Sequence, residues 1–203
     1  MPIQFITPSI ISSVANTQVT GTITASQIAT VNANTITSGS IPLAQIPQLS
    51  GAKLPTGSVL QVVSVSKLDG FQTSSTTPID VTGLSVSITP TSASSKILVL
   101  SQIWGTGTIN TGFYINLVRN STNLSISTAG SDINTTISSY FGNESLWSTM
   151  PIMFLDSPAT TSSTIYKIQI FTTNGTTSVA INKRVDNAFL GGSSSITVME
   201  IAA

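Results

Sequence analysis

The stretch TIYKIQIFTTNGTTSVAI, Thr164 to Ile181, carries the fold class in its spacing. Tyr166, Ile168 and Ile170 alternate with Lys167, Gln169 and Phe171, a period of two that sends one set of side chains to a core and the other outward. The run stops at Thr172-Thr173-Asn174-Gly175, where Asn-Gly is a two-residue hairpin signal, and Val179 and Ile181 stand where a return strand is expected. The same alternation recurs in Leu84-Ser85-Val86-Ser87-Ile88 and Phe113-Tyr114-Ile115-Asn116-Leu117. Val59 to Val65 is rich in β-branched residues, and Ile196 to Ile201 reads as a terminal strand. Ile97-Leu98-Val99-Leu100 is continuously apolar, which predicts a central strand covered on both faces. Many short strands, turn-rich connections and no amphipathic helix predict an all-β domain over 57–203, an antiparallel sandwich of jelly-roll type.

Residues 1–56 read differently. No charged side chain precedes Lys53. Val14, Val19, Ile23, Ile28, Val31, Ile36, Ile41 and Ile46 recur mostly four or five residues apart, a spacing that fits neither helix nor strand. Pro42, Pro47 and Pro55 interrupt any ladder, since proline donates no backbone hydrogen bond. One buried aliphatic side chain recovers about 1.5–3 kcal/mol, whereas ordering each backbone residue costs about 1–2 kcal/mol. A single copy therefore cannot hold this segment in order. Three copies around an axis would stack rings of Ile23, Ile28, Val31, Ile36, Ile41 and Ile46 inside a hydroxylated surface. The expected organisation is a virion-attachment segment at 1–20, an extended trimeric shaft at 21–56 and the sandwich, as a knob, at 57–203.

Composition excludes several function classes. Charged residues are 7% of the chain and balance to zero, against about a quarter in ordinary soluble proteins. Ser and Thr (33 and 31 residues) take over the work of hydration. No basic patch is available for nucleic acid, and no apolar run is long enough to span a membrane. Without Cys or His there is neither a disulfide framework nor a Cys–His zinc site, and no Ser nucleophile has a His to activate it. No cofactor or metal is expected.

The phrases DVTGLSVSITPTSASSKILVLS (80–101), MFLDSPATTSSTIYKIQI (153–170) and SSITVMEIAA (194–203) resemble the head domain of fibre proteins from tailed bacteriophages, marine and cyanobacterial ones in particular. ITSGSIPLAQIPQLSG (36–51) is similar to the shafts of such fibres. The resemblance implies a non-enzymatic virion protein, made in the bacterial cytoplasm and carried outside the particle. It implies a homotrimer docked to other virion proteins through its N-terminus. A tail fibre contacting a host surface glycan is the first reading; a capsid head fibre or decoration protein without a receptor is the second, and a depolymerase the third.

Tyr140-Phe141-Gly142-Asn143-Glu144-Ser145-Leu146-Trp147 is the most aromatic polar stretch. Rings stack on sugar C–H faces while amide and carboxylate groups accept hydroxyl hydrogens, so Tyr140, Phe141, Asn143, Glu144 and Trp147 are the receptor-site candidates. The competing assignment puts these rings, and Trp104, in the core or a trimer interface. Asp156-Ser157-Pro158 fits a calcium-binding loop or, without acidic neighbours, an Asx-type turn.

Overall fold

The computed structural model describes residues 54–130, 132–142, 147–186 and 191–203. The expected attachment segment, the shaft positions Ile23 to Ile46, Asn143 and Glu144 lie outside the described residues. Among those described there are eleven strands and no helix: β1 (Val59–Lys67), β2 (Phe71–Thr73), β3 (Ile79–Ile88), β4 (Lys96–Gly107), β5 (Thr111–Arg119), β6 (Thr122–Leu124), β7 (Ile137–Phe141), β8 (Trp147–Asp156), β9 (Thr164–Phe171), β10 (Val179–Ile181) and β11 (Ser194–Ile201).

Two antiparallel sheets result. In the first, β8 runs along one edge of β4, while β11 and β10 lie end to end along the other, flanked in turn by β1 and β2. In the second, β3 pairs with β9, β9 with β5, and β6 and β7 share the far edge of β5. With β1/β2, β6/β7 and β10/β11 each read as one interrupted strand, eight strands remain. Their spatial order is first, eighth, third, sixth in one sheet and second, seventh, fourth, fifth in the other. That is the jelly roll expected from the alternating pattern.

The core is the set of inward alternates. Ile97, Val99 and Ile103 of β4, Ile196 and Val198 of β11, and Ile152 of β8 face Leu84, Val86 and Ile88 of β3, Phe113, Ile115 and Leu117 of β5, and Tyr166, Ile168 and Ile170 of β9. Two glycines of β4 let aromatic rings approach its inner face. A Cβ at Gly105 would collide with the Phe113 ring, and one at Gly107 would sit 2.6 Å from Phe141. The Trp-Gly-Thr-Gly sequence is therefore a packing device.

Two expectations fail here. The Asn-Gly stretch does not close a hairpin, because β9 belongs to the second sheet and β10 to the first. Neither Asn174 nor Gly175 has the positive φ of a primed turn. Asn174 instead starts a turn in which its carbonyl accepts from the Thr177 amide and its Oδ1 from the Thr176 amide. β4 is the central strand expected, between β11 and β8, but within one copy only one of its faces is covered: Ile97 and Val99 are fully buried, whereas Leu98 and Leu100 on the opposite face are only half-buried.

Candidate functional site

The chain enters the domain at one end of the first sheet, where Gly57 donates to the Ala202 carbonyl and Ala202 to that of Ser58. The far end of β4 lies roughly 30 Å away at the rise of an extended strand. That far end gathers the aromatic candidates. Trp147 pairs with Thr106 across β8 and β4, and its ring stacks on Trp104 at 5.9 Å and 23°. Tyr140 lies on β7 of the second sheet and is 68% exposed. Phe141, the next residue, points inward, is 3% exposed and packs against Phe113 with ring centres 6.0 Å apart. The candidate set thus divides: Phe141 is core, while Tyr140 and Trp147 (44% exposed) remain at the surface.

Charged groups within the first sheet mostly point inward and are satisfied there. Asp156 accepts from Arg119 Nη1 at 2.7 and 2.8 Å and from the Tyr166 hydroxyl at 2.6 Å, so a carboxylate on β8 ties β4's sheet to β5 and β9. Burial, and then the bond to Asp156, push the Tyr166 hydroxyl far above its ordinary range and keep it a neutral donor. The carboxylate therefore acts neither in a calcium loop nor in an Asx turn. Glu200 is buried and accepts from Gln61 Nε2 at 2.6 Å and from the Thr91 amide and hydroxyl, each at 2.7 Å. Buried Lys67 reaches Asp69 at 2.8 Å. Among the described residues no three carboxylates cluster as a metal centre.

The outer face of the first sheet has a different chemistry. Val62, Met199, Leu98 and Leu155 stand in one register row across β1, β11, β4 and β8. The next row is Ser64, Thr197, Leu100 and Met153, and Met153 is 79% exposed. Lys96, at the border of the face, is the one charged strand residue that points outward.

The second sheet's outer face is polar and folded into relief. Asp80 accepts from Lys167 Nζ and Gln169 Nε2, both at 2.7 Å. Tyr114 and Phe171, cross-strand neighbours, stack at 5.2 Å. Thr136, in the β6–β7 connection, is pinned to the edge of this sheet, its Oγ1 accepting from the Leu117 amide and donating to the Leu124 carbonyl. Beside it lies a depression of about 410 Å³ whose walls include Asn116, Asn123, Asp132, Asn134, Phe171 and Thr173. The alternating pattern of 113–117 placed Asn116 on the outer face but gave no sign that it would be buried there. The signal in the sequence was the crowding of asparagines at 116, 123 and 134.

No protein-family description matches the chain. No curated protein matches it either. Solved structures with partial likeness include the VP2 subviral particle of infectious bursal disease virus, at 14% identity and a TM-score of 0.37, covering 70% of this chain and 37% of that one. The T13 particle of the same virus gives 15% identity and a TM-score of 0.39, covering 82% of this chain and 40% of the other. The chain thus spans well under half the length of these neighbours, and TM-scores this low carry no functional weight.

Proposed function

We propose that this protein is a non-enzymatic structural component of a bacteriophage virion, a homotrimeric fibre whose sandwich domain is held out towards the host surface. The observation that carries the reading is the apolar, nearly uncharged outer face of the first sheet, close to where residues 1–53 join the domain. Contiguous exposed apolar surface in a soluble protein marks an interaction site. A second copy fits this one because a face without charge meets itself without like-charge repulsion, and because the preceding aliphatic repeat also needs further copies to bury it. Assembly through both regions would give a shaft and a trimeric knob, with Trp104, Tyr140 and Trp147 at the end of the sandwich opposite Gly57 and Ala202. Jelly rolls serve both capsid and lectin proteins, which suits this role by analogy only. Weak contacts from each knob would gain strength through the number of fibres on a particle.

Sedimentation equilibrium of the full chain at micromolar concentration tests the assembly, with a mass of three chains expected and a monomer rejecting the fibre. Deleting residues 2–18 tests the docking polarity. The truncated trimer should fold and be missing from assembled particles, whereas normal incorporation would move attachment to the sandwich. Imaging of the labelled protein on intact particles distinguishes a tail position from a capsid one.

A further inference from the structure

We propose that the depression on the outer face of the second sheet, and not the aromatic end of the sandwich, is a binding site for one sugar residue of a neutral saccharide. Asn116 carries the argument. The residue is 3% exposed, and its carboxamide oxygen has no hydrogen-bond partner among the described residues. A buried amide oxygen left unpaired is costly, and such groups in native proteins usually await a water or a ligand. Asn116 also lines the depression, so a small rotation of its carboxamide towards a donor arriving there would satisfy it.

The other walls define the donor's chemistry. Asn123 offers a carboxamide without a defined role in the fold, Thr173 a hydroxyl, and Asp132 an acceptor of hydroxyl hydrogens. Phe171, held in place by its stack on Tyr114, supplies an apolar surface for C–H groups. Asn134 is the scaffold: its side chain closes the 130–134 turn through the Gly130 amide and carbonyl. Among the described residues no cationic side chain lines the depression and one carboxylate does, which disfavours phosphate, sulfate and acidic sugars. A volume of about 410 Å³ lies within the range of small-ligand sites. Hydroxyl donors and acceptors beside a C–H face are the surface that a hexose presents. The proposal depends on the fibre reading only for where the sugar comes from, namely a host surface glycan.

Saturation-transfer NMR on the purified full chain, with the methyl glycosides of glucose, galactose, mannose, rhamnose and N-acetylglucosamine as separate probes, tests the site. At least one probe should give a signal with a millimolar dissociation constant. Asn123→Ala, an exposed change, and Asn116→Leu, which replaces the amide by an apolar group of similar size, should each weaken binding tenfold or more. Trp147→Ala should leave it unchanged. Silence from all five probes overturns the proposal, as does binding that survives both asparagine substitutions or that is lost with Trp147→Ala. Particle association is a separate measurement. A sugar-binding protein absent from virions would sink the fibre reading alone, and a virion protein silent to every probe would sink this site alone.

Discussion

The two sheets of the sandwich have inner faces built to one rule and outer faces with little in common. Inside, both fill most alternate positions with aliphatic or aromatic residues. Outside, the first sheet shows Val62, Met199, Leu98, Leu155 and Met153, whereas the second shows Asp80, Lys167, Gln169, Asn116 and the Tyr114–Phe171 stack. The first sheet also turns Glu200, Asp156 and Lys67 inward, hiding the charges that the second displays. Inner alternation specifies the fold and leaves the outer positions free to differ. On the two proposals made above, those outer positions divide the labour, one face meeting identical copies and the other a soluble polar ligand.

The largest expected effect tests that division directly. Leu98→Asp with Met153→Asp would place two carboxylates per chain in the proposed interface, where desolvation and mutual repulsion oppose assembly. Sedimentation should show monomers in place of trimers. The domain itself should lose little, since exposed substitutions usually stay within about 0.5 kcal/mol. Ile165→Asp, on the outer face of the second sheet, should leave the trimer intact. If the double variant still forms trimers, the apolar rows face something other than a second copy.

Next come changes to what joins the faces back to back. Phe141→Ala removes a core ring and should cost about 3–5 kcal/mol. Asp156→Ala strands Arg119 and the Tyr166 hydroxyl and should cost about 3 kcal/mol, the low end for a broken buried pair because Arg119 is partly exposed. Denaturant unfolding of the domain reads both. A loss below 1 kcal/mol for Asp156→Ala would mean that the sheets are held by apolar packing alone.

These residues also mark where sequence reading stops. The strands of the core were legible because a buried face imposes a period of two on residues close together in the chain. Phe141 and Trp147 could not be told apart, since which of two nearby rings points inward depends on register with β5 and β4. Asn174-Gly175 misled for a related reason: its local chemistry makes a turn, but whether the next strand pairs back or crosses to the other sheet is decided by the whole topology. Asp156 looked like a loop acid because Arg119 and Tyr166 are distant partners, and Asn116 looked like one outward residue among several because nothing local in the sequence shows that it is buried.

A smaller effect is expected at the aromatic end. Trp147→Ala removes a half-exposed ring stacked on Trp104, a contact worth about 0.5–1.5 kcal/mol beyond its buried area. Thermal unfolding should fall by only a few degrees. A loss as large as that of Phe141→Ala would make Trp147 a core residue and remove it from any surface role.

The smallest effect separates hidden charge from displayed charge by pH. Burial alone would raise the Glu200 carboxyl, but the hydrogen bonds from Gln61, then Thr91, outweigh it and hold the group below its ordinary value of 4.5. The Lys167 bond does the same for Asp80, which remains half-exposed. A carboxyl whose folded pKa is depressed contributes stability above its unfolded pKa, and loses it as pH falls through the lower folded value. Both groups should therefore weaken the domain below about pH 4.5 and have no effect on its pH dependence near neutrality. Their shares should differ, because solvent and salt screen the outward pair and not the buried one. Against wild type, Glu200→Gln should flatten the acid limb of the unfolding curve clearly at any salt concentration, and the two proteins should converge as pH falls below the folded value. Asp80→Asn should flatten it slightly, and only at low salt. Equal, salt-sensitive effects from the two substitutions would show that Glu200 is as hydrated as Asp80, and the claim that the first sheet conceals its charge would fail.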